Sequence, residues 1–171
     1  VQGDSLKILT GDTVGIESRQ TINADGYVVC PGFIDMHSHS DFAMLTNPKH
    51  EAKVSQGVTT EALGMDGLSY APISPDKLAP LIQYLQAVNG LPPTDLEWST
   101  VNDFLDLFDN QVACNVVYFV PHAALRVEAM GWEARHATDD ELNAMENVTR
   151  TWLDAGASAL CIGLDYQPSA N

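Results

Sequence analysis

From Pro31 onward the chain alternates short apolar, β-branched runs with stretches at helical spacing, and this alternation restricts the fold more than any other feature. Residues 33–37, 58–63, 116–120 and 158–164 read as four strands. Between them, 48–56 can form a short helix, with Pro48 near its start and Gly57 just past its end. Residues 76–88 form a longer helix entered at Pro75, in which Pro80 fits only in the first turn or at a kink. Thr100-x-x-Asp103 and Thr138-x-x-Glu141 are capping-box patterns. The first opens a helix with Val101, Phe104, Leu105 and Phe108 on one side. Behind the second, Leu142, Met145, Val148, Trp152 and Leu153 fall at helical spacing, and Gly156 ends the run. Strands alternating with helices imply a parallel sheet, either open and doubly wound or closed as a barrel.

Residues 1–30 follow a different grammar. Short strands are expected at 6–9, 21–22 and 27–29, with turns at Gly11-Asp12 and Asp25-Gly26. The chain starts at Val1 without a Met and ends at Asn171 just after a strand, so an incomplete piece of a longer protein is expected. Acidic residues outnumber basic ones 23 to 8. A surface so charged does not bind nucleic acid or anionic membranes, which require clusters of Lys and Arg. No run approaches the roughly 20 apolar residues of a membrane span. Cys30, Cys114 and Cys161 are widely separated and form no C-x-x-C pair, so reduced thiols and a cytoplasmic location are expected. Gly-x-Gly-x-x-Gly is absent, which leaves a dinucleotide site unsupported.

The strongest chemical signal is His37-Ser38-His39 at the end of the first apolar run. Alternate residues of a strand share a face, so the two imidazoles are expected to project together and could bind one divalent transition metal. Pro31 to Asp41 (PGFIDMHSHSD) resembles the first-strand motif of the amidohydrolase superfamily. Gln56 to Glu61, Gly64 to Pro72 and Gly163 to Pro168 are similar to the D-aminoacylase, or N-acyl-D-amino-acid deacylase, branch. The resemblance implies the amino-terminal half of a (β/α)8 TIM-like barrel. Residues 31–171 would hold its first four βα units, and residues 1–30 the remnant of a small β-sandwich domain. It further implies zinc or another divalent transition metal, and hydrolysis of a small N-acyl amino acid to a carboxylate and a D-amino acid. Two further His ligands and an Asp base would lie on later strands, so no catalytic base is expected within these residues. Opening of a cyclic amide, deamination of a base, or a vestigial metal site in a non-catalytic protein are the alternatives.

Many enzymes of this branch carry a Cys ligand where this chain has Asp66. A carboxylate can also bind or bridge zinc, so Asp66 is the third candidate ligand beside His37 and His39, the alternatives being a role supporting the ligands from behind or a turn role. No Lys follows Lys77, which argues against a modified-lysine metal bridge; Asp165 is the nearest carboxylate on the fourth strand. His122, Arg126 and Tyr166 are candidate substrate contacts, with packing or ion pairing as the alternative for the first two. His50 and His136 are expected at the surface, Trp98, Trp132 and Trp152 in packing roles. Ser38 and Ser69 have no base partner in sequence to make them nucleophiles.

Overall fold

In the computed structural model, Val58–Leu63 forms strand β2 as its β-branched run requires, and three more parallel strands flank it. The structure describes residues 7–11, 15–93, 97–98 and 100–170. The chain divides into two units, Val1–Pro31 and Gly32–Asn171.

In the first unit the described residues form no strand or helix. A turn closes from the Tyr27 amide to the Ala24 carbonyl at 2.9 Å, and Ile22, Tyr27, Val28 and Val29 are exposed. The strands expected at 21–22 and 27–29 are therefore not formed, nor is one at Ile8-Leu9; Leu6 and Asp12 lie outside the described residues. A strand exists only by virtue of a hydrogen-bonded neighbour, and these segments have none among the described residues.

The second unit runs β1 (Phe33–Asp35), α1 (Asp41–Thr46), α2 (Glu51–Val54), β2, a 3-10 turn (Met65–Gly67), α3 (Pro75–Asn89), α4 (Val101–Asp106), β3 (Asn115–Pro121), α5 (His122–Met130), α6 (Asp139–Asp154) and β4 (Ala159–Cys161). The sheet order is β1-β2-β3-β4, every pair parallel. Strand neighbours in space are thus neighbours in sequence, without the order reversal of a doubly wound sheet. That is the arrangement of a barrel segment.

Both capping boxes form. Thr100 and Thr138 accept from the amides of Asp103 and Glu141, whose carboxylates reach back to the cap amides. Pro80 sits in the second turn of α3, inside the helix and past the first turn, which was one of the two places expected for it beside a kink. Helices α1 and α5 were not legible as separate elements in the sequence, and α2 is shorter than the expected 48–56, because His50 at its start takes a left-handed φ of 45°.

The core lies between the sheet and the helices. Leu63, Tyr118 and Val120 meet Leu81, Leu85, Phe104 and Trp152 there. Phe104 is its centre, with ring centroids 4.9 Å from Tyr118, 5.4 Å from Trp98 and 5.8 Å from Trp152. Trp132 instead lies at the surface, edge-on to Tyr84 at 5.2 Å. On α6, Met145 and Trp152 are buried, whereas Leu142 and Leu153 are exposed along an open cleft shared with Leu160 and Ile162. Among the described residues no helix is long and apolar enough to cross a membrane.

Candidate metal centre

Two glycines fix the turn that carries Asp66. Gly64 has φ 81°, and a Cβ there would stand 2.1 Å from the Phe119 carbonyl oxygen of β3. A Cβ on Gly163 would stand 2.0 Å from the carbonyl oxygen of Asp66 itself. The turn is therefore packed directly against the backbones of β3 and the segment after β4. Asp66 has φ 56°, a left-handed conformation that Asp and Asn tolerate better than other side-chain-bearing residues.

Strand β1 ends at Asp35, two residues short of the expected limit. Asp35 turns the chain outward: one carboxylate oxygen accepts the His37 amide at 3.1 Å and the other pairs with Lys53. His37 and His39 therefore meet as neighbours in a loop and not as same-face residues of a strand. Their rings lie 5.6 Å apart, at 68°. Ser38 between them points the other way, donating to Glu61 Oε2 at 2.5 Å and lying 2.6 Å from the Ser40 hydroxyl.

Nε2 of His37 and Nε2 of His39 each lie 3.3 Å from Asp66 Oδ2. The ligand atoms of all three residues fall within 4.8 Å of one another. Donors at zinc–nitrogen distances of roughly 2.0–2.1 Å on a tetrahedron stand about 3.3–3.4 Å apart. The two His–Asp separations match that edge, so the donor set fits such an ion in its chemistry and in these two spacings.

The tautomer of His39 follows from its neighbours. Asn89 donates its amide to the Leu68 carbonyl at 2.9 Å, which leaves Oδ1 facing His39 Nδ1 at 3.1 Å. Nδ1 then carries a hydrogen, so in the neutral ring Nε2 turns a lone pair toward the Asp66 carboxylate. Lone pair and carboxylate oxygen repel unless a cation or a proton lies between them. A His ligand oriented by a hydrogen bond on its other nitrogen is the usual supporting arrangement of a metal site.

Behind the loop lie buried carboxylates that the sequence reading did not single out. Glu61, on β2, is fully buried and lies 2.6 Å from His50 Nε2. His50 is thus a buried partner of Glu61, not the surface histidine expected. Asp41 accepts from the Ser69 hydroxyl, and burial pushes its carboxyl up to about 6. Ser38 and Ser69 both serve these carboxylates. The one sequence signal for Glu61 is a lone charge inside a β-branched run.

Of the remaining candidates, Tyr166 borders a cavity with His39 and Asp66. Arg126 is buried, donating to the carbonyls of Pro168 at 2.8 Å and Arg135 at 2.9 Å. His122 opens α5 and borders the cleft with Leu125 and Leu160; burial, and then Arg126, hold its pKa down. Neither residue borders the Tyr166 cavity. Asp165 is exposed beyond β4 and is not part of the His37, His39 and Asp66 group.

A family model described as the amidohydrolase family matches residues 20–169. The chain belongs to the amidohydrolase family. Its relatives include an N-acyl-D-aspartate deacylase of Alcaligenes xylosoxydans xylosoxydans, 36% identical over 99% of this chain and 33% of that protein. A D-aminoacylase with a binuclear metal centre superposes with a TM-score of 0.76 at 33% identity, over 94% of this chain and 33% of that one. An N-acyl-D-glutamate deacylase from Bordetella bronchiseptica, complexed with zinc and a phosphonate inhibitor, superposes at 0.75 with 32% identity, over the same shares. This amidohydrolase chain spans about a third of the length of the relatives it matches. The four parallel strands correspond to part of an amidohydrolase barrel.

Proposed function

We propose that the full-length protein hydrolyses the amide bond of N-acyl-D-amino acids, releasing a carboxylate and a D-amino acid, with a divalent metal, zinc by preference, held in part by His37, His39 and Asp66. The observation that carries this reading is the pair of imidazole Nε2 atoms 3.3 Å from one carboxylate oxygen, with the His39 lone pair directed by Asn89. A divalent ion at such a site polarises the amide carbonyl and lowers the pKa of water toward about 7. The residues of this chain hold and orient: His37 and His39 supply neutral donors and Asp66 supplies the charge. Asn89 fixes the His39 ring, and Ser38, tied to Glu61, fixes the loop between the two histidines. The proton-transferring base lies outside residues 1–171. Within these residues, 1–30 are assigned to the smaller flanking domain and 31–171 to the barrel.

The test is an assay of the full-length protein on both enantiomers of N-acetyl amino acids, with a cyclic amide and adenine as comparison substrates. Turnover of the D-enantiomers, abolished by a chelator and restored by zinc, is the expected result. Turnover of a comparison substrate alone removes the deacylase assignment.

A further inference from the structure

A cavity of about 210 Å³ adjoins the candidate metal centre, and His39 and Asp66 form part of its wall. The rest is Leu68, Tyr84, Leu85, Val88 and Tyr166. Leu68 and Leu85 are buried, but Tyr84 is 41% and Val88 49% exposed, large apolar groups left open beside a polar site. Tyr84, Leu85 and Val88 share a face of α3, and the next residue, Asn89, is the one that orients His39. One turn of helix thus both lines the cavity and fixes a candidate ligand. Trp132 braces Tyr84 edge-on. Among the described residues no Lys or Arg borders the cavity, so a carboxylate entering it would be desolvated without a cationic partner. An apolar pocket of roughly 150 Å³ already admits benzene, so this one has room for a branched or medium-length hydrocarbon group.

We propose that this cavity is an apolar subsite, taking an uncharged hydrocarbon group attached to the scissile amide and rejecting a carboxylate. The nature of its ligand rests on the hydrolase reading above. The subsite separates this protein from a relative named for aspartate, whose side chain is charged. The hydrocarbon can be the acyl chain or the amino-acid side chain; the chemistry is the same, and substrate series distinguish them.

The experiment uses the full-length, zinc-loaded protein and straight-chain hydroxamates measured by titration calorimetry. Each methylene that enters an apolar site strengthens binding about fourfold. Hexanohydroxamate should therefore bind at least about tenfold tighter than acetohydroxamate, and succinyl monohydroxamate more weakly than butanohydroxamate. Val88→Trp fills the cavity from the exposed side of α3 and should cut the hexanoyl-to-acetyl ratio below about threefold. Val88→Lys should reverse the preference between succinyl and butanoyl. Relative kcat/KM for N-acyl chains of increasing length, and for N-acetyl-D-amino acids of increasing side chain, then shows which group the cavity receives. Series that are flat in both acyl-chain and side-chain length, or a length preference that survives Val88→Trp in the series that shows it, overturn the subsite. The deacylase reading fails separately, when no N-acyl-D-amino acid turns over while the hydroxamate ratio and its loss persist.

Discussion

Asn89 Oδ1 stands 3.1 Å from Nδ1 of His39, held there because the Asn89 amide donates to the Leu68 carbonyl at 2.9 Å. The contact decides which His39 nitrogen keeps a free lone pair. Removing such an orienting partner typically costs about 10–100-fold in metal affinity. Asn89→Ala in the full-length protein should show that loss by competition with a chelator of known affinity. Asn89→Asp keeps an acceptor toward His39 and should recover most of it. Equal losses in both variants would mean that Asn89 matters only for packing.

Asp66 combines two demands that different substitutions separate. Its left-handed φ of 56° suits Asn, whereas Cys there would bear strain of about 1–2 kcal/mol. Its charge suits Cys, since a thiolate binds zinc and an amide does not carry charge. Metal-free Asp66→Asn should therefore unfold at a higher temperature than Asp66→Cys, while Asp66→Cys should bind zinc more tightly than Asp66→Asn. If Asn matches Cys in metal affinity, Asp66 is a turn residue only.

Glu61 is a fully buried carboxylate facing His50 at 2.6 Å and Ser38 at 2.5 Å, with Lys53 Nζ at 3.9 Å. Truncating one member of a buried charged network leaves the others unpaired, at a cost of about 3–5 kcal/mol. Glu61→Ala should show a loss of that order in denaturant unfolding. Glu61→Gln, which keeps an acceptor for Ser38, should lose less. A change under about 1 kcal/mol for Glu61→Ala would contradict the network.

Glu128 ties α5 to the start of α3. It accepts the Ser74 amide at 2.7 Å and hydroxyl at 2.8 Å, and it pairs with Lys77 at 3.1 Å. Burial raises its pKa, but the Ser74 and Lys77 contacts outweigh it and hold the carboxyl below the ordinary 4.5. A depressed folded-state pKa stabilises the fold fully above pH 4.5, and that contribution fades as pH falls through the folded value. The midpoint difference between parent and Glu128→Gln should thus be largest near neutrality and shrink in acid. A difference constant from neutral pH into acid would contradict the pairing.

The parts of the fold legible in the sequence were those set by local chemistry. β2, β3 and both capped helices follow from β-branched runs and from Thr100 and Thr138. Helices α1 and α5 were hidden because each begins within a residue or two of functional-looking residues, Ser40-Asp41 and Pro121-His122, with no separating turn signal. Of the candidate ligands, the two histidines were plain from their spacing, although a loop and not a strand brings them together. Glu61, His50 and Asn89 could not be assigned from sequence: Glu61 and Asn89 meet the loop across separations of 23 and 50 residues, and His50 meets Glu61 across 11, which only the folded chain closes. Among the described residues before Pro31 the expected strands did not form, for the converse reason: a short apolar run between turns supplies no hydrogen-bonded partner of its own.

The central claim is that His37 and His39 hold a divalent transition metal, and elemental analysis of the purified full-length protein tests it most directly. The parent should carry stoichiometric metal, and the double substitution His37→Ala, His39→Ala should carry almost none while keeping its helical circular dichroism. Stoichiometric metal and undiminished turnover in the double variant would contradict the account.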